Sequence, residues 1–140
     1  MMRHALIMPA LLAFGLFVMP ATAMADKSGP TKQEERLAKM LEGRTPGKPV
    51  DCISQQLIRS TTVLNRTAIV YEMSNGTYYV NRPASGANFL HDNLILVTST
   101  QTNQLCGVDI VRLVDSSSGM SMGSIGLGKF IPYPRPAKAK

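Results

Sequence analysis

Hydrophobic and polar positions alternate most clearly between Ala68 and Val80. Ala68-Ile69-Val70-Tyr71-Glu72-Met73 and Tyr78-Tyr79-Val80 are short runs rich in β-branched and aromatic residues, and Ser74-Asn75-Gly76-Thr77 lies between them. Asn-Gly accepts positive φ at both central positions of a type I′ turn, whose twist matches that of paired strands. The pattern predicts a hairpin with Asn75 and Gly76 as a two-residue loop. In that register Met73 faces Tyr78, Glu72 faces Tyr79 and Tyr71 faces Val80. One face then carries Ile69, Tyr71, Met73, Tyr78 and Val80. The other carries Ala68, Val70, Glu72, Tyr79 and Asn81. A shift by one residue would mix the two sets.

Around this hairpin the pattern predicts further strands. Ser60 to Leu64 reads as a strand, joined to the hairpin by a turn at Asn65-Arg66-Thr67. Asn81-Arg82-Pro83 ends the second hairpin strand, because proline cannot donate to a ladder. Leu94-Ile95-Leu96-Val97 is a continuous apolar run, expected of a central strand buried on both faces. After a polar turn, Leu105 to Val114 reads as one strand. Ser116-Ser117-Ser118-Gly119 breaks it. Residues 119–128 hold four glycines and read as a flexible loop. Lys129-Phe130-Ile131 is a last edge strand, stopped by Pro132 and Pro134. Asp51 to Ile58 has Ile53 and Leu57 at helical spacing and reads as one helical turn.

Ahead of these strands, Thr31-Lys32-Gln33-Glu34 has the form of a capping box, and Leu37, Met40 and Leu41 follow on one helical face. This predicts a helix from Lys32 to Glu42, stopped at Gly43. Pro and Gly in 44–49 make a linker. Further upstream, Arg3 precedes an uncharged apolar run from Ala5 to Met19, and Ala23-Met24-Ala25 follows Pro20. That is the form of a secretory signal, with cleavage between Ala25 and Asp26. The run is shorter than the roughly 20 residues of a membrane-spanning helix, so no stable span is expected after cleavage.

Charge narrows the class of partner. Residues 26–140 carry 14 Lys and Arg against 9 Asp and Glu, a net +5. Within 51–131 the count is five against five, so the excess lies in the flanks. A neutral body with basic tails does not form the clustered cationic face that nucleic acid requires. The tails allow at most weak contact with anionic surfaces. Export also bears on the two cysteines, Cys52 and Cys106, which are expected to pair with each other. Such a bridge stabilises by about 4 kcal/mol through the unfolded chain.

The chemistry-bearing motifs are weak. Gly119-Met120-Ser121-Met122-Gly123 matches a nucleophile elbow, but a poor helix follows it and no histidine does. Gly123 to Lys129 resembles a phosphate-binding loop, with Phe130 at the position where Ser or Thr must hold Mg²⁺. His91 and two distant cysteines do not have zinc spacing. Asn65-Arg66-Thr67 and Asn75-Gly76-Thr77 are glycosylation sequons without further support. Tyr71, Tyr78 and Tyr79 offer a stacking face, or else cross-strand packing. No catalytic residue, cofactor or metal is indicated.

Cys52-Ile53, Ile58-Arg59-Ser60-Thr61, Tyr79-Val80-Asn81-Arg82-Pro83, Gln104-Leu105-Cys106-Gly107-Val108-Asp109 and Gly126-Leu127-Gly128-Lys129-Phe130 together resemble a family of small exported proteobacterial proteins, classed as a domain of unknown function. The resemblance covers residues 50–133. It implies export and a small β domain, and it supplies no activity. Many members carry two further cysteines, at the positions that match Gly86 and Ile125 here. Both are absent together, as expected if they pair with each other.

These readings predict a mainly β protein: a small antiparallel meander or barrel-like domain of five or six strands, with a short N-terminal helix outside it. The expected division is a signal peptide at 1–25, a linker with the helix at 26–49, the β domain at 50–133 and a disordered basic tail at 134–140. The expected role is that of a non-enzymatic periplasmic or secreted protein binding an unknown protein or envelope component. The competing expectation is a small periplasmic enzyme or enzyme inhibitor. Its site would be built from Arg59, Arg82, Asp109 and Arg112, held unpaired in a concave pocket. Pairing among them would instead mark a structural role, and a pair of Arg82 or Arg112 with Asp109 is the separate structural expectation.

Overall fold

The computed structural model describes residues 31–138. The expected signal segment and its expected Ala25–Asp26 cleavage lie outside them. Within them, nine strands form three antiparallel sheets, and one α-helix lies against them. The mainly β expectation therefore holds, without a closed barrel.

The first helix, α1 (Lys32–Met40), starts where the capping residues place it: Thr31 Oγ1 accepts from the Glu34 backbone N–H at 3.3 Å. Leu37 is buried against Leu64, Ala68, Val70 and Val80, with Met40 and Leu41 alongside. The narrow apolar stripe thus docks on the sheet. Glu34 does not reach back to complete a capping box, because its carboxylate is held by Arg82.

The largest sheet has the order β2 (Ile58–Leu64), β3 (Ala68–Met73), β4 (Tyr78–Asn81), β9 (Phe130–Tyr133). Its hairpin β3–β4 departs from the sequence expectation by one residue. Glu72 faces Tyr78, Tyr71 faces Tyr79 and Val70 faces Val80. Met73 pairs with Thr77 instead, donating its N–H to the Thr77 carbonyl at 2.9 Å, so the loop is Ser74-Asn75-Gly76. Asn75 Oδ1 accepts from Thr77 N–H at 2.9 Å, and only Gly76 takes a positive φ, 83°. This is the three-residue loop with a left-handed last position, the next commonest hairpin connection. The alternation did not protect the register because both faces of this hairpin are covered. Ile69, Tyr71 and Met73 face the main core with Tyr79, while Ala68, Val70, Tyr78 and Val80 lie under α1.

The second sheet has the order β5 (Leu94–Thr98), β7 (Ile110–Asp115), β8 (Ser121–Gly126). Two expectations are corrected here. The apolar run at 94–97 is an edge strand, not a central one, and Ile95 is 51% exposed on its outer face. The glycine-rich stretch 119–128 is mostly strand β8, paired along β7 with a bulge between Leu113 and Val114. The β7–β8 turn is built on Asp115, whose Oδ1 accepts from the N–H and hydroxyl of both Ser117 and Ser118. These bonds, the Ser117 hydroxyl first, hold its carboxyl down at about 2.

The third sheet pairs β1 (Cys52–Ser54) with β6 (Gln104–Cys106). The expected helical turn at 51–58 is instead this strand followed by one 3-10 turn, Gln55–Leu57. The single strand expected from Leu105 to Val114 is two, β6 and β7. Asp109 breaks it: its Oδ2 accepts from Cys106 N–H at 2.7 Å while its own N–H donates to the Cys106 carbonyl. Side chains from all three sheets meet in one core, including Ile53, Ile69, Leu105, Leu113, Ile125 and Phe130. Tyr71 and Phe130 pack edge to face there, with ring centroids 5.8 Å apart.

Candidate functional site

The two larger sheets face each other across this core and are joined along one side only. There, Ala84 and Ser85 bond to Gly126 at the end of β8, and Leu127 to Lys129 carries the chain into β9. On the other side β2 and β5 are both terminal strands and do not pair. Between them lies an open cleft of about 420 Å³. Its walls are Ile58, Thr61 and Val63 from β2, and Leu94, Leu96 and Thr98 from β5. Tyr71 and Leu105 form its floor, and Gln55 closes one end. Gln55 Nε2 donates to Thr98 Oγ1 at 3.2 Å, and its Oε1 accepts from the Thr100 hydroxyl at 3.3 Å.

The lining is apolar with a few hydroxyls and one carboxamide, and none of its residues is charged. Tyr71 is 3% exposed, and burial pushes its phenol above the ordinary tyrosine range. At neutral pH it stays a neutral hydroxyl able to donate or accept. This mixture of apolar walls and few polar groups is the usual character of a ligand site.

The structure does not gather the residues of the enzyme reading. Arg59 is exposed at the β2 bulge between Ile58 and Ser60. Arg112 stands on the outer face of the second sheet, opposite Val97 and Ser124. Arg82 forms a two-pronged pair with Glu34, at 2.7 and 2.9 Å. Their hydrogen bonds lower the Glu34 pKa and raise that of Arg82. Asp109 serves the β6–β7 turn and has no cation within ion-pair distance among the described residues, so the expected Arg–Asp109 pair is absent.

Cys52 and Cys106 do come together, as a cross-strand disulfide with Cα atoms 4.0 Å apart. That is closer than the usual range for disulfides of roughly 4.4–6.8 Å. The two cysteines are directly opposite in the β1–β6 ladder, between hydrogen bonds made at Gly107 to Asp51 and at Gln55 to Asn103. Antiparallel strands approach most closely at such positions.

The remaining motifs become structural. Ser121 begins β8, and the phosphate-loop-like residues 123–129 form the second half of β8 and its connection to β9. No group of three or more metal-ligating side chains occurs among the described residues. The three tyrosines do not share a face: Tyr78 lies on the helix side beneath the Arg44 guanidinium, 3.8 Å from its ring centre. The cleft itself was missed by sequence reasoning. Its one available signal was the absence of any charge or proline from Leu94 to Val108.

Compared with known protein families, curated proteins and solved structures, the chain matches none. Among the described residues no helix is long and apolar enough to cross a membrane.

Proposed function

We propose that this is an exported, non-enzymatic binding protein whose site is the cleft between β2 and β5. The observation that carries the reading is the uncharged, open-mouthed concavity between two unpaired sheet edges. The dispersal of Arg59, Arg82, Asp109 and Arg112 weighs against the enzyme alternative. Export, to the periplasm or beyond, is supported by the Cys52–Cys106 bridge and the apolar N-terminal segment. Membership of the small exported family is part of the same proposal. In its support, Gly86 and Ile125 touch: a Cβ on Gly86 would lie 3.2 Å from the Ile125 Cα.

Two measurements test the reading. Intact mass of protein from the envelope fraction should begin at Asp26; a mass retaining residues 1–25 would refute the cleavage. The neutral apolar dye N-phenyl-1-naphthylamine should bind the native protein saturably and shift the amide signals of Leu96 and Val63. Thr61→Trp, which fills the mouth of the cleft, should abolish both effects with the circular dichroism spectrum unchanged. Binding that survives Thr61→Trp, or no saturable binding, would remove the cleft from consideration.

A further inference from the structure

We infer that the cleft takes an extended polypeptide segment, which adds a strand to the free edge of β5. This rests on the cleft being the binding site and specifies the class of its occupant.

The backbone geometry of β5 supplies the first argument. Ser116 N–H donates to the Asn93 carbonyl at 3.1 Å, which makes 93 and 116 a hydrogen-bonded pair. Bonded and non-bonded pairs alternate along an antiparallel ladder. Ile95 opposite Val114, and Val97 opposite Arg112, are therefore the next bonded pairs. Leu96 and Thr98 point their N–H and C=O groups the other way, toward the free edge. These same residues put their side chains into the cleft. An incoming strand thus meets backbone donors and acceptors and an apolar floor together, the combination used in strand addition.

The treatment of the other edges supplies the second argument. Natural sheets blunt exposed edges with charge, proline, bulges or covering chain. Here β9 is covered by 47–50, through Gly47 N–H to Pro132 and the reciprocal bonds of Val50 and Phe130. The end of β8 is covered by Ala84 and Ser85. β2 carries a bulge and Arg59. β5 has no such device among the described residues: its ladder to β7 is unbroken, and no charge or proline occurs from Leu94 to Val108.

Charge complementarity then defines the occupant. Neither the lining of the cleft nor β5 bears a formal charge, so a charged segment would be desolvated there without a partner. The fitting segment is uncharged, with apolar residues at every second position to meet Val63, Tyr71 and Leu105.

The test uses the full-length mature protein and a phage-displayed library of nine-residue peptides. Enriched peptides should be uncharged with alternating apolar residues. The synthetic form of the strongest should slow amide exchange of Leu96 and Thr98 roughly tenfold or more, through new backbone bonds. N-methylation of one alternate set of its residues should weaken binding to the same degree, and methylation of the other set should not. If the dye binds but no peptide is enriched, the cleft stands and its occupant is a small apolar molecule. If neither binds, the cleft reading falls as well. If Leu96 and Thr98 are protected without peptide and the protein sediments as a dimer, the occupant is a second copy of this chain, and the inference is overturned.

Discussion

Asn81 holds both backbone groups of Gly128. Its Nδ2 donates to the Gly128 carbonyl at 2.6 Å and its Oδ1 accepts from the Gly128 N–H at 3.2 Å. Asn81 is fully buried, the only polar residue in that class among the described residues. Gly128 belongs to the crossing from β8 to β9, which joins the two larger sheets on their closed side. A Cβ at this glycine would lie 2.5 Å from the Arg82 carbonyl oxygen, so the crossing passes at a separation only glycine permits. Asn81→Ala leaves two buried backbone groups without partners and should cost about 2–4 kcal/mol. Gly128→Ala should destabilise as well, by forcing the crossing away from Arg82. Urea denaturation of both variants checks this; a loss below about 1 kcal/mol for Asn81→Ala would show the pairing to be dispensable.

The disulfide ties the start of the β domain to β6, across a sequence separation of 54. Replacing both cysteines by serine should cost about 2–5 kcal/mol, mostly by freeing the unfolded chain. The native sheet should remain, so the circular dichroism spectrum should change little while the melting temperature falls. Thiol titration of denatured, unreduced protein should find no reactive thiol, and two per chain would contradict the bridge.

The Glu34–Arg82 pair gives α1 a dependence on acid. The Arg82 hydrogen bond lowers the Glu34 pKa from its ordinary 4.5 on folding. The contribution is therefore complete above pH 4.5 and is lost as pH falls through the lower folded value. Both side chains are partly exposed, so the pair is worth about 0.2–1 kcal/mol. Amide exchange of α1 should quicken below pH 4.5 relative to that of β3. Arg82→Ala should quicken α1 exchange already at pH 7 and remove this dependence. An unchanged acid profile in that variant would mean that another group controls the helix.

Gly76 is held in two ways. Its φ of 83° is unfavourable for other residues, and a Cβ there would lie 2.6 Å from the Arg135 side chain. Its carbonyl accepts from Arg44, which also bonds the Tyr133 carbonyl and stacks on Tyr78. Gly76→Ala should destabilise by about 1–3 kcal/mol, and Arg44→Ala should loosen the same corner. Chemical-shift changes confined to the β3–β4 loop and residues 133–136 would locate the effect. Changes spread over β5 and β7 would contradict it.

Sequence alone determined what depends on neighbours along the chain. Thr31 and the Leu37 stripe specify α1, Asn75-Gly76 specifies a reversal between β3 and β4, and Ser116-Ser117-Ser118-Gly119 specifies where β7 stops. Cys52 and Cys106 were legible as a pair because two cysteines in a chain read as exported have few other uses. The tertiary structure decided what depends on which surface is covered. Alternation fixes strand register only when one face is wet. Here α1 covers one face of the β3–β4 hairpin and the core covers the other, so a shift of one residue remained open and the loop chose it. A run such as Leu94 to Val97 is equally apolar at the centre of a sheet or at its edge, and only the pairing of β7 with β8 left β5 outermost. The glycines of 119–128 read as mobility until tertiary structure supplied partners, β7 for Gly123 and Gly126 and the Asn81 side chain for Gly128. The cleft was the least legible feature, because it is made by two edges that do not meet, and an absent strand pairing leaves almost no mark on the residues that border it.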